Sequence, residues 1–87
     1  MSALTKLTDR YAETVIDDEI VLMQLDSGDF FSMTGTAIEI WQLIDGTRDR
    51  DAVVDALVAQ FSAPQEEIAA DVDALIERLR GEGLVAG

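Results

Sequence analysis

Ile20-Val21-Leu22-Met23-Gln24-Leu25-Asp26-Ser27-Gly28-Asp29-Phe30-Phe31-Ser32-Met33 decides the fold. Two apolar runs flank Asp26-Ser27-Gly28-Asp29, and those four residues carry turn chemistry, with Gly28 free to adopt φ > 0 in a short hairpin loop. In the first run one alternating set is Val21, Met23 and Leu25. The other set passes from apolar Ile20 and Leu22 to polar Gln24 and Asp26, the pattern of a partly covered strand. In the return run Phe31 and Met33 share one face, while Phe30 and Ser32 share the other. Upstream, Tyr11 to Ile16 supplies a third strand, followed by the acidic turn Asp17-Asp18-Glu19. Three strands cannot bury a face by themselves, so helices must cover them.

The remainder reads as helical. Ala37, Ile40, Trp41 and Ile44 fall on one face, widened by Ile38 and Leu43, with Thr34 as the expected N-cap and Gly46 as the stop. Asp49 is the next expected N-cap, ahead of Val53, Leu57 and Phe61 with Val54 and Val58 flanking. Ser62-Ala63-Pro64-Gln65 has capping-box spacing and a proline suited to a first turn. Behind it Ile68, Val72, Leu75, Ile76 and Leu79 make one stripe that Gly81 and Gly83 end. Leu84-Val85 is expected to add a short strand or to dock on the core. The order predicts an α+β fold: a three-stranded antiparallel sheet followed by three helices, in a winged helix-turn-helix-like arrangement. Residues 1–87 are expected to form a single domain, with 1–9 as a flexible N-terminal arm.

Composition narrows function. The 87 residues carry 18 Asp+Glu against 6 Lys+Arg, a formal charge of −12. Such a surface repels phosphates, so nucleic acid is excluded as a partner even though the helices resemble a DNA reader. The last helix presents Glu66, Glu67, Asp71, Asp73 and Glu77, with bases only at Arg78 and Arg80. The absence of Cys and His removes thiol nucleophiles, disulfides, the usual zinc ligands and the usual neutral-pH base. Apolar runs no longer than Ile20-Val21-Leu22-Met23 are far too short to span a bilayer, and no secretory signal is visible. Carboxylates are plentiful, but no nucleophile, metal set or phosphate loop accompanies them. The expectation is a cytoplasmic non-enzyme without cofactor or metal.

Leu25-Asp26-Ser27-Gly28-Asp29-Phe30-Phe31-Ser32-Met33 resembles the hairpin of the PqqD-like family, a turn followed by an aromatic pair and a large aliphatic residue. Ile40-Trp41-Gln42-Leu43-Ile44-Asp45-Gly46 is similar to the family's first helix with its terminal Asp-Gly. Asp71-Val72, Leu75, Leu79 and Gly83-Leu84-Val85 resemble the end of its third helix. Together they cover about residues 20 to 86. Thr34-Gly35-Thr36-Ala37 stands where many relatives have Asn-Glu-x-Gly. The Arg-x-x-Trp and Pro-Glu signals of members serving pyrroloquinoline quinone synthesis are absent.

The resemblance implies a recognition element that holds the leader of a ribosomally made precursor peptide for a separate modifying enzyme. That enzyme would be a radical SAM enzyme or a lasso-type leader peptidase with its cyclase. It also implies that the leader adds as a strand to the edge of the third strand, beside the third helix. Physics supports this mode, because an open sheet edge offers unpaired N–H and C=O groups to an extended peptide. The candidate peptide-binding residues are Asp29, Phe30, Phe31, Ser32 and Met33 on the strand, with Asp71, Ala74, Leu75 and Arg78 on one flank of the third helix. The opposite flank, Ala69, Asp73, Ile76 and Arg80, is the competing choice. The charge implies a basic or neutral leader.

Ser27 does not fit the modified serine of an acidic carrier protein, since Gly28 follows it and strands flank it. Asp45-Gly46-Thr47-Arg48-Asp49-Arg50-Asp51 has calcium-loop composition but not its spacing, and Ala56 stands at the bidentate position. Trp41 sits on an apolar stripe, which favours a core anchor over ligand stacking, whereas Phe30 is open between core and peptide pocket. The alternative function is a protein–protein adaptor or regulatory subunit that uses the same groove for a partner's segment.

Overall fold

The structure, a computed structural model, describes residues 3–87. The elements are β1 (Thr5–Lys6), β2 (Tyr11–Ile16), β3 (Glu19–Gln24), β4 (Phe30–Thr34), α1 (Thr36–Leu43), α2 (Arg50–Phe61), α3 (Gln65–Gly81) and β5 (Val85–Ala86). Strands β2, β3 and β4 form an antiparallel sheet in that order, and the three helices follow it in the winged helix-turn-helix-like arrangement. A second, two-stranded sheet pairs Thr5 with Ala86 and Lys6 with Val85.

The turn between β3 and β4 explains the register. The Gly28 amide donates to the Gln24 carbonyl and the Gln24 amide donates to the Asp29 carbonyl, both at 2.8 Å. Gly28 has φ 77°, so the pair Gly28–Asp29 opposite Gln24 is a bulge whose first residue is a left-handed glycine. Beyond it Phe30 faces Met23, Phe31 faces Leu22 and Met33 faces Ile20. Phe31, Met33, Leu22 and Ile20 are buried on one side of the sheet, and Phe30 and Ser32 lie exposed on the other. The parity of the two runs in the sequence is therefore the parity of the sheet.

The helices supply the rest of the core. Ile40, Trp41 and Ile44 at α1, Val53, Val54 and Leu57 on α2, and Ile68, Val72, Leu75, Ile76 and Leu79 on α3 are all buried with the sheet residues in one cluster. Phe61, expected on the α2 stripe, is largely exposed at its end. Asp49 caps α2 as expected, its side chain accepting from the Ala52 amide at 2.9 Å.

Two other caps differ from the sequence reading. Thr34 still belongs to β4, opposite Glu19, so the chain must turn into α1 within one residue. Gly35 does this with φ 59° and ψ −131°, with no side-chain cap. Ser62 is the left-handed C-cap of α2, φ 52° and ψ 35°, and Pro64 is the N-cap of α3 without a capping hydrogen bond.

The expected N-terminal arm is tied down over its described part, and residues 1 and 2 lie outside the described residues. Leu4 is 1% exposed, its amide donates to the Arg48 carbonyl, and its carbonyl accepts from the Gly46 amide. Leu84 is fully buried and its carbonyl accepts from the Leu7 amide, so the last residues both dock and form a strand. Among the described residues no helix is long and apolar enough to cross a membrane.

Arg50 links α2 to α3 through paired hydrogen bonds to Asp73, at 2.7 and 2.8 Å. The Arg50 hydrogen bonds hold the Asp73 carboxyl below its ordinary pKa. Both side chains are well solvated, so the pair adds little to stability. Asp73 is depressed on folding, so its contribution is present above the ordinary carboxylate pKa and is lost as pH falls through the lower, folded value. Asp73→Asn is accordingly expected to lower stability slightly at pH 7 and not at all in strong acid, read by urea denaturation at several pH values.

Candidate functional site

Alternation along an antiparallel strand sends backbone groups left and right in turn. The Gln24 amide bonds toward β4 and the Leu25 amide bonds to the Arg10 carbonyl on the other side. It follows that Leu22 and Ile20 also point their backbone groups at β4, where Phe31 and Met33 receive them. The N–H and C=O groups of Phe30, Ser32 and Thr34 therefore point outward, along an edge that no strand covers among the described residues.

Beside that edge lies a groove of about 330 Å³ between β4, α1 and α3. Asp71, Ala74, Leu75 and Arg78 form its α3 wall, and Thr34, Thr36, Ala37 and Ile40 form the other side. The Arg78 guanidinium lies 4.8 Å from the centre of the Phe31 ring, bridging helix and strand. Asp71 and Arg78 form no ion pair among the described residues, and both side chains are exposed. The groove thus offers one acid and one base, two helical turns apart, over an apolar floor of Leu75, Ala37 and Ile40.

The candidate residues sort into three groups. Asp71, Ala74, Leu75 and Arg78 are brought together in the groove. Phe31 and Met33 are core residues, and only the Phe31 ring meets the groove, beneath Arg78. Ser32 supplies free backbone groups, while Phe30 is 70% exposed on the far face of the sheet and Asp29 sits in the bulge, its amide donating to Ser27 Oγ. The competing flank of α3 is otherwise engaged. Asp73 is held by Arg50, Ile76 is buried and Arg80 donates to the Gly87 carbonyl. Sequence reasoning did not single out Thr36, Ala37 and Ile40 as groove residues. Only the small size of Ala37 in an otherwise bulky stripe hinted that α1 leaves room there.

A second cleft lies on the other side of α1, between that helix and β2, with a volume of about 580 Å³. Trp41 stands at its base, 1% exposed, with Tyr11 edge-on at a centroid distance of 5.6 Å and the Lys6 ammonium 4.3 Å from the ring centre. The Trp41 indole N–H donates to Glu13 Oε1 at 3.3 Å. Burial lowers the Lys6 pKa, opposed by nearby Glu13 and Asp45, and burial with the Glu13 charge raises that of Tyr11. Among the described residues no group of His, Cys, Asp or Glu is arranged to hold a metal.

Comparison with known proteins places this arrangement. Residues 19–85 match the family described as Coenzyme PQQ synthesis protein D (PqqD). The chain belongs to the PqqD family. Over 49 residues it is 43% identical to the PqqA binding protein of Rhodopseudomonas palustris strain TIE-1, a match covering 56% of this chain and 48% of that protein. The PqqA binding protein of Gluconobacter oxydans strain 621H is also 43% identical over 49 residues, covering 56% of this chain and 51% of that one. The matched stretch thus spans about half the length of these relatives. Among solved structures, TbiB1 in complex with the TbiA(beta) leader peptide superposes with a TM-score of 0.81 at 28% identity, covering 95% of this chain and 96% of that one. The heterocyclase TruD contains the same fold, with a TM-score of 0.64 at 22% identity, over 99% of this chain and 11% of TruD. The PqqD-family fold accounts for the sheet, the three helices and the groove between them.

Proposed function

We propose that this PqqD-family domain binds the leader segment of a ribosomally made precursor peptide as a fourth strand on β4 and holds it for a separate modifying enzyme. The observation that carries this reading is the unpaired edge at Phe30, Ser32 and Thr34 running beside the groove of Asp71, Ala74, Leu75 and Arg78. The similarity to TbiB1, solved with a leader peptide bound, supports it, as does the similarity to proteins named for binding PqqA.

Division of labour follows from chemistry. Backbone hydrogen bonds along the edge supply affinity to any extended peptide, and the groove selects among side chains. An apolar leader residue fits over Leu75, Ala37 and Ile40, and a basic residue fits Asp71. The net charge of −12 speeds the approach of a basic leader and does not hinder a neutral one. The domain itself performs no bond chemistry; its partner is a radical SAM enzyme or a lasso-type leader peptidase with its cyclase. Such a task belongs in the cytoplasm, where precursors are made.

Isothermal titration against leader peptides encoded beside this gene tests the reading directly. Submicromolar to micromolar binding by one of them is expected; a folded protein that binds none of them overturns it. For a leader with Lys or Arg, affinity is expected to fall as salt rises, and a flat response removes the electrostatic component. Asp71→Lys is expected to weaken such a leader about three- to tenfold, with little change in melting temperature because Asp71 is exposed and forms no ion pair among the described residues. Arg78→Glu alters binding too, but also removes the contact with Phe31, worth about 0.5–1 kcal/mol of stability.

A further inference from the structure

The cleft between β2 and α1 is larger than the groove at β4 and shares no lining residue with it. One feature of it is anomalous for a folded sheet. By register, Tyr11, Glu13 and Val15 share the face of Ile20, Leu22, Phe31 and Met33, the face that carries the core. Tyr11 is buried there, yet Val15 is 64% exposed, because α1 reaches only part of the way across β2. The result is an apolar side chain on the core-facing side of the sheet that is left mostly exposed among the described residues. Ile38 of α1 lines the facing wall, half-buried.

The rim has one sign of charge. Asp17 and Asp18 in the β2–β3 turn, Glu19 at the start of β3 and Glu39 on α1 line the opening. Lys6 in the lining offsets only one of these charges, and its ammonium lies over Trp41 beside Glu13 and Asp45. A second copy of this chain is a poor occupant, because it brings a further −12, and its Arg48 and Arg50 are already paired to Asp45, Asp51 and Asp73. Nucleic acid is repelled for the same reason.

We propose that this cleft docks a basic amphipathic segment of a protein partner, with an aliphatic side chain over Val15 and Ile38 and Lys or Arg side chains against Asp18 and Glu39. Naming that partner as the modifying enzyme rests on the leader-binding reading; the chemistry of the cleft does not. Helix α1 is the wall between the two sites, with Ala37 and Ile40 toward β4 and Ile38 and Glu39 toward β2. Leader and enzyme segment therefore bind side by side without competing for the same surface.

The test is a titration of the isotope-labelled full chain, followed by NMR, with a short helical peptide carrying leucines on one face and lysines on the other. Saturable shifts are expected at the amides of Val15, Asp18 and Ile38 and at the indole N–H of Trp41, the one tryptophan of the chain. Asp18→Lys with Glu39→Lys is expected to weaken this binding at least about tenfold, while Asp55→Lys with Glu77→Lys, an equal change of net charge elsewhere, weakens it less than about threefold. Equal losses in the two double variants, or shifts centred on Ser32 and Ala74, overturn the proposal. A leader titrated separately, read at Ser32 and Thr34, is expected to bind the first double variant as it binds the parent protein. Failure of that leader to bind the parent protein counts against the leader reading alone.

Discussion

Trp41→Ala is expected to cost about 3–5 kcal/mol of stability. Small domains have only about 0.05–0.15 kcal/mol per residue to lose, so this is a large share of the total and the melting temperature should fall steeply. The reason is the number of elements that meet at one ring. Trp41 brings α1 against Tyr11 of β2, carries Lys6 of β1 over its face and donates to Glu13. Alanine leaves a cavity at the junction and strips Lys6 of the ring that offsets its partial burial. Urea denaturation followed by far-UV circular dichroism measures the loss. Phe30→Ala is the control, since that ring is mostly in water, and it should change stability by less than about 0.5 kcal/mol.

Ser32→Pro is expected to abolish leader binding, by at least about tenfold in affinity, while the domain stays folded. Proline is tolerated on an edge strand when the amide it removes faces solvent, and the Ser32 amide faces away from β3. The β3–β4 ladder through Phe31 and Met33 keeps all its donors. What is lost is the donor at the middle of the free edge, and the pyrrolidine ring then blocks an incoming strand. Phe31→Pro makes the comparison decisive, because it breaks a bond to β3 and should unfold the sheet. If Ser32→Pro binds leader like the parent protein, the added strand is not on β4. Calorimetry for binding and thermal melts for folding read the two effects separately.

Most of the architecture is legible in periodicity. Alternation in Ile20–Met33 and the stripe Ile68–Leu79 each report a buried face, and burial is what shapes such patterns. Caps were less legible, because Thr34 and Ser62 are good capping residues wherever they occur. Thr34 was claimed by the ladder opposite Glu19, and Ser62 by the left-handed end of α2. The pairing of β1 with β5 was invisible, since two-residue strands some eighty positions apart leave no period to detect.

For the groove, helical geometry alone put Asp71, Ala74 and Arg78 on one flank. Nothing in the sequence said that the other flank would be closed by Arg50. The side of the sheet taken by Phe30 was equally open, because aromatic residues stand on both faces of that strand. The bulge at Gly28–Asp29 and the burial of Phe31 settle it. Val15 was hidden for a different reason: alternation marks which face a residue is on, not how far a neighbouring helix extends over it.

The clasp of β1 against β5 has an architectural consequence. It brings Thr5 beside Ala86, so the two ends of the fold leave it side by side. A fold with adjacent ends can be spliced into a surface loop of a larger protein without stretching the host or uncovering its own core. The same scaffold is therefore suited to work as a loose subunit or as an inserted cassette, and within TruD it makes up 11% of the chain. Grafting residues 3–87 into an exposed loop of an unrelated host should leave both units folded, because the clasp has already closed the circuit that an insertion needs.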